Sequence, residues 1–259
     1  MRIAIIGGAG TLGSHITTEL TARGHDVRVL SRRSQQYPVD LTSGQGLAAA
    51  IDGCAAVIDA SNASAPKRAA QVLVEGSRRL LVAEEATGVP HHVGISIVGC
   101  ERVPIGYYRV KAEQEQVISG GPVPWTLVRA TQFHELIDMA LTAAARFRIV
   151  PIPAGRLQTI AASEVARVVA DVAEEEPHRG RVQAAGPQVT TIADLARTWV
   201  SATGRRAVRV PVPVPGKLGR ALRAGALTDP DADVLGQQTF ADWLEARAAQ
   251  AERPTASRP

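Results

Sequence analysis

The chain has 259 residues, 45% of them hydrophobic and 21% charged, with a net charge of +4. That balance excludes disorder of the whole chain and allows a full core without disulfides or metals. There is no run of about 18 apolar residues, which excludes a transmembrane helix, and two cysteines, Cys54 and Cys100, cannot form a disulfide framework or a four-thiolate zinc site.

Taken in chain order, the elements alternate. Ile3–Ile6 is an apolar run that suits a central parallel strand, and it leads straight into glycines, too short for a signal peptide. A cytoplasmic location is expected. From Thr11 to Ala22, Leu12, Ile16 and Leu20 recur at helical spacing, and Gly24 stops the helix. Val27–Leu30 reads as a second strand, and a third precedes Asp40-Leu41. Ala56–Ile58 is a strand, 65–87 a helix closed by Gly88, Val93–Val98 a strand, 107–119 a helix, and Trp125–Val128 a strand. Strand–helix alternation with short turns predicts an α/β, Rossmann-type, doubly wound parallel sheet. Beyond residue 131 the pattern loosens. Helices are expected at 132–145, 162–175 and 191–203, and strands at 180–184 and 207–212. Pro211–Gly216 reads as a rigid connection. These segments make a small irregular C-terminal lobe over the ligand edge of the sheet.

Gly7-Gly8-Ala9-Gly10-Thr11-Leu12-Gly13 lies between the first strand and the first helix. Glycines there allow a tight turn and let backbone N–H groups approach a pyrophosphate at the helix N-terminus. A dinucleotide is the expected ligand. NAD sites usually carry Asp or Glu at the end of the second strand. Here that position reads Ser31-Arg32-Arg33. Guanidinium groups bind a 2′-phosphate that a carboxylate would repel, so NADP(H) is favoured. Asp40 and Leu41 border the adenine. The expected organisation is one α/β domain over 1–259, with a dinucleotide-binding core at 1–130, an interleaved substrate lobe at 131–250 and a frayed tail at 251–259.

Tyr107 and Lys111 stand at i, i+4 and share a helix face. A nearby ammonium lowers a tyrosine pKa, and such a tyrosine can move the proton that accompanies hydride transfer. Tyr108 is adjacent and is the alternative proton donor. Ser96 ends the strand before that helix and could hydrogen-bond a substrate oxygen. His91 and His92 are adjacent on a strand, point to opposite faces and make poor joint metal ligands. No metal is expected. Only three of 29 basic residues are lysine, no basic run exceeds two residues, and 3% of the chain is aromatic. Nucleic-acid and membrane partners are therefore not expected.

These residues together resemble the short-chain dehydrogenase/reductase superfamily, and more closely its atypical branch of NmrA-like NAD(P)H-binding proteins. The resemblance rests on Ile6–Gly13, Asp40-Leu41, Ile51-Asp52-Gly53, Ser96-Ile97-Val98-Gly99, the run Tyr107–Glu115 and the run Pro124–Phe133. Ala185-Gly186-Pro187 and Phe240–Leu244 add weaker C-terminal matches. The resemblance implies Tyr107 as general acid, Lys111 as its tuning partner and ligand of the nicotinamide ribose, and Ser96 as holder of the carbonyl oxygen. It runs the loop Ala60-Ser61-Asn62 under the cofactor. It sets Ala130 and Thr131 beside the nicotinamide, and Gln132, Phe133 and His134 at the substrate pocket. Many catalytic members carry a helix asparagine before the fifth strand. Asn62 is the only asparagine here and lies outside that helix.

The expected function is an NADPH-dependent reductase (a ketoreductase in the broad sense) of a hydrophobic ketone, enone or quinone-like small molecule, acting as monomer or homodimer. The alternatives are a non-catalytic NADP(H) sensor of NmrA type and a nucleotide-sugar epimerase or dehydratase.

Overall fold

Ile3 and Ile5 face one side of the first strand and Ala4 and Ile6 the other, and all four are buried. Strand alternation with no polar face requires cover on both sides. The computed structural model describes residues 1–252 apart from Ser64 and Pro104; residues 253–259 of the expected tail lie outside the described residues. The first half comprises β1 (Arg2–Ile6), α1 (Thr11–Ala22), β2 (Asp26–Leu30), α2 (Leu47–Ile51), β3 (Ala56–Asp59), α3 (Pro66–Ala69), a π-helical stretch (Ala70–Glu75), α4 (Gly76–Thr87), β4 (His92–Ile97), α5 (Gly106–Ser119) and β5 (Trp125–Ala130). Then follow α6 (His134–Ala145), β6 (Ile149–Pro153), β7 (Arg156–Leu157), α7 (Ala162–Glu174), β8 (Gly180–Ala185), β9 (Thr190–Thr191), α8 (Ile192–Thr203), β10 (Val208–Val212), α9 (Gly216–Arg223), β11 (Val234–Leu235) and α10 (Phe240–Glu252).

The central sheet has seven parallel strands in the order β11-β8-β5-β4-β3-β1-β2. Chain order reverses between β1 and β3, and ligands of such sheets bind outside the strand C-termini at that point. Helices α1 and α7 cover one face. Ile16 and Leu20 of α1 and Val165, Val169 and Val172 of α7 meet Ile3, Ile5 and Ile58 there. Helices α2, α4 and α5 cover the other, through Leu47, Leu80 and Ile118. A separate core in the lobe gathers Leu141, Val150, Ile152, Leu195 and Trp199. The lobe is not a separate chain segment, because β8 and β11 return from it to the main sheet.

Three local expectations change. The strand expected before Asp40 is reduced to single bridges, Ser31 with Pro38 and Asp40 with Gln45; Pro38 has no N–H to extend a ladder. The helix over 65–87 is interrupted by the π-helical stretch. The connection expected from Pro211 begins only at Pro213, because β10 runs through Pro211 and Val212 as the strand expected over 207–212 requires, and it pairs, among the described residues, only with β6. Proline is tolerated in such a two-stranded edge pairing.

Two buried contacts between acidic and basic side chains pin the helices to the sheet. Glu84 of α4 and His92 of β4 are fully buried, 2.9 Å apart. Glu115 of α5 accepts Nε of Arg129 at 2.8 Å and Nη2 at 2.7 Å, a two-pronged pair between α5 and β5. Burial pushes the Glu115 carboxyl up, but the hydrogen bonds and charge of Arg129 outweigh it and hold it below its usual value. Replacing Arg129 with Leu is therefore expected to cost about 3–5 kcal/mol in urea unfolding at neutral pH. A depressed carboxylate pKa stabilises the fold above the unfolded value and loses that contribution as pH falls, so the penalty should shrink below pH ~4.

Candidate dinucleotide site

The turn after β1 is built by glycines with different duties. Gly7 has φ +74°, and a Cβ there would come within 2.7 Å of the Ala60 carbonyl oxygen. A Cβ on Gly13 would sit 2.2 Å from the Gly7 oxygen. Both are required by the turn itself. Gly10 has ordinary extended angles, φ −78° and ψ 176°. A Cβ there would meet only the Gly7 oxygen, at 3.2 Å. That contact is tight, so a methyl at Gly10 fits only if the Gly7 carbonyl gives by a few tenths of an ångström, and it would stand at the N-terminus of α1. The helix has no side-chain cap and no acid in its first turn. Its leading N–H groups and positive dipole end are left for an anion. Leu12 itself packs into the core, so its backbone rather than its side chain faces the turn.

A cleft beside this turn is lined by Gly7, Ser31, Arg32, Asp40, Leu41, Ser61 and Asn62, and also by Arg68. Asp40 accepts the N–H and hydroxyl of Thr42 at 2.8 and 2.7 Å. These bonds, with Arg32 and Arg68 nearby, hold its carboxyl below the usual range. Arg33 does not line the cleft; its backbone N–H donates to the Ser31 hydroxyl at 3.2 Å. Arg68, from α3, takes the second cationic position instead. Sequence reasoning missed it because it arrives from a helix far along the chain. Ser61 is buried and its hydroxyl has no partner among the described residues. A glycine turn without side chains, an uncapped helix and an orphaned hydroxyl together fit a bound dinucleotide.

The residues around Tyr107 depart from the expected pairing. The Tyr107 hydroxyl donates to Oδ1 of Asn62 at 2.8 Å. Lys111 turns inward: its amino group donates to the Ile95 carbonyl and to Oε1 of Gln114, both at 2.9 Å, and the residue is buried. Burial lowers the Lys111 pKa. Burial, with Tyr108 and Asp59 adding, raises the Tyr107 pKa above the ordinary phenol value. The expected tuning contact is thus absent, because Lys111 spends its donors on β4 and Gln114. Tyr108 packs into the lobe core. Ser96 is buried, 3.9 Å from the Cys100 sulfur, and makes no contact with Tyr107 among the described bonds.

Beneath the tyrosine lies a carboxylate that sequence reasoning did not single out. Asp59, at the end of β3, is fully buried. It accepts the Ser61 N–H at 3.0 Å, the Ser77 hydroxyl at 3.1 Å and the Gln114 amide at 3.2 Å. A charged residue closing the apolar run Ala56–Ile58 was the available signal.

After β5, Ala130 and Thr131 are buried, and the Thr131 hydroxyl accepts the Gly186 N–H at 3.2 Å. Gln132 is 9% exposed, and neither end of its amide has a partner among the described residues. Phe133 is partly buried against the main core. His134, expected at the substrate pocket, is fully buried; its ring nitrogens bond Thr159 at 2.9 Å and the Gln238 carbonyl at 3.0 Å. It packs against Phe240 and Trp243 and is a lobe-core residue. No cluster of three or more His, Cys, Asp or Glu that could hold a metal occurs among the described residues.

A family model for NAD(P)H-binding proteins matches residues 7–176. The chain belongs to that NAD(P)H-binding family. A 3-beta-hydroxysteroid dehydrogenase of Mycolicibacterium neoaurum is 30% identical over 166 residues, 56% of this chain and 42% of that protein. The chain spans less than half the length of the curated relatives it matches. Among solved structures, an NADPH-dependent quinone oxidoreductase of Escherichia coli in complex with NADPH superposes with TM-score 0.77 at 18% identity, over 95% of this chain and 99% of that one. A nucleoside-diphosphate-sugar epimerase of Staphylococcus aureus gives TM-score 0.77 at 18% identity, over 95% and 100%. These likenesses carry the fold.

The glycine geometry separates folding from binding. Gly13→Ala is expected to lower the thermal midpoint sharply. Gly10→Ala, which asks the Gly7 carbonyl to move only slightly, should lower the midpoint much less than Gly13→Ala and weaken dinucleotide affinity about tenfold or more in a fluorescence titration, since the methyl occupies the approach to the α1 N-terminus.

Proposed function

We propose that the protein is an NADPH-dependent oxidoreductase that reduces a hydrophobic ketone, enone or quinone-like small molecule, with Tyr107 as proton donor. The observation that carries this reading is the 2.8 Å bond between Tyr107 and Asn62, because Asn62 also lines the cleft beside the glycine turn. A phenol is thereby held at the rim of that cleft by the chain's one asparagine. The bound reduced nicotinamide would supply the hydride.

The chain's own groups would do the rest. The α1 N-terminus and Gly10 would take the pyrophosphate. Arg32 and Arg68 would take the 2′-phosphate through charge-assisted bonds, and the presence of both on the cleft wall supports NADPH over NADH. Ser61 would give its free hydroxyl to the cofactor. A raised pKa keeps Tyr107 protonated through neutral pH, which suits donation to a developing alkoxide and not proton abstraction. Asn62 positions the phenol. Gln132, with its unpaired amide after β5, would orient the substrate or the nicotinamide.

A second reading, an NADP(H) sensor without turnover, draws on the inward Lys111 and on the Ser96 hydroxyl, which contacts the Cys100 sulfur. Turnover separates the two. Tyr107→Phe is expected to cut kcat by about 10²–10⁴ while NADPH affinity stays unchanged; tight NADPH binding with no turnover across a carbonyl and quinone panel would sink the reductase reading. The competent phenol loses its proton only above its raised pKa, so kcat/KM should show no tyrosine ionisation below pH ~10. Arg32→Ala and Arg68→Ala should each cost NADPH about tenfold or more in Kd and leave NADH nearly unaffected.

A further inference from the structure

The lobe carries a surface that the dinucleotide site does not use. β6 and β10 pair in parallel with Ile149 beside Val208 and Pro151 beside Val210. Val150 and Ile152 point into the lobe core. By strand alternation, Ile149, Pro151, Val208 and Val210 share the opposite face, and all four are exposed, Val208 to 66%. Phe147, in the turn entering β6, is 80% exposed. At the end of this apolar face where β6 and β10 begin stand Arg146, Arg148, Arg205 and Arg206, all exposed. None of them joins an ion pair among the described residues. Arg148, Arg205, Arg206 and Val208 line one open depression, and the Arg205 guanidinium lies 5.6 Å from the Trp199 ring centre. No acidic residue occurs between Asp138 and Glu164 or between Asp194 and Asp229, the two segments that build the face.

Charge and shape select the occupant. A second copy meeting this face would press one arginine rim against another. A free anion would fill the depression and leave the apolar face wet. An anionic bilayer answers both: phosphates for the arginines and an acyl boundary for Phe147 and the Ile149/Val208 face. We propose that this face docks the protein peripherally on anionic lipid surfaces. No helix among the described residues is long and apolar enough to cross a membrane, so docking is at the surface. The proposal does not rest on the reductase reading, since vesicle binding is measured without turnover.

The test is co-sedimentation of the full chain with phosphatidylcholine vesicles and with phosphatidylcholine–phosphatidylglycerol vesicles. Binding to the anionic vesicles alone is expected, weakening with salt. Arg205→Glu/Arg206→Glu should reduce it more than tenfold, at about fivefold for each arginine charge removed and more for its reversal. Phe147→Ser should weaken it without abolishing the salt dependence. Both variants lie on the surface and should keep the wild-type thermal midpoint and NADPH affinity. Absence of binding to anionic vesicles would overturn the proposal, as would equal binding to neutral ones. Light scattering that finds a dimer broken by Phe147→Ser would give the face to a second copy. Binding to polyglutamate in preference to vesicles would give it to an acidic protein.

Discussion

The site is organised by one buried carboxylate. Asp59 is fully buried, so its carboxyl oxygens must find partners within the protein, and Ser77, Gln114 and the Ser61 N–H supply them. Leaving any of these groups unpaired in the interior costs free energy, so the set acts as a unit. Gln114 then has an amide oxygen to offer, and Lys111 donates to it and to the Ile95 carbonyl. The lysine is thereby committed to tying α5 to β4. Its position relative to Tyr107 on the helix does not bring the two heads together. The tyrosine finds Asn62 instead, on the loop whose start Asp59 fixes. Helix, sheet and the loop after β3 thus meet through a single network beneath the cleft.

The alternating core was legible because its strands are apolar on both faces and its helices carry their apolar residues at helical spacing. Leu12, Ile16 and Leu20 announce α1, and they are buried as their spacing requires. The glycine turn was legible for the same local reason: Gly7 and Gly13 have no room for a side chain. What depends on partners far along the chain was not legible. Arg33 and Arg68 are both plain arginines in sequence, and only the loop and helix geometry puts one outside the cleft and the other inside. His134 follows Phe133 toward the expected pocket, yet Gln238, more than a hundred residues on, closes its second ring nitrogen. The two-residue strands β7, β9 and β11 carry too few residues for a period to emerge, and β6 is obscured by Pro151 and Pro153 within its five residues.

The site and the lobe meet at the start of α5. Tyr107 packs with the α3–α4 side and Tyr108 with the lobe core. Adjacent residues on a helix point in different directions, so one turn of α5 addresses the cofactor cleft and the lobe together. Any shift of the lobe core against Tyr108 would reach the Tyr107 hydroxyl through a single peptide unit. Their rings also touch edge to face, with centres 6.3 Å apart.

The strand order carries a consequence for how the molecule is made. β11 lies at the end of the described sheet and pairs with β8, which itself pairs with β5 across the intervening lobe segment. During synthesis the half containing β1 to β5 emerges first, with β5 as an open parallel edge. β8 covers that edge only once α6 and α7 have been made, and β8 stays bare until Val234 and Leu235 arrive. Pairings so distant in sequence form slowly, and uncovered parallel edges are where nascent chains stick to one another. The two-residue strand that contributes least to the core is the one that finishes the sheet, so crowding by other nascent copies would be felt most in the interval before it joins.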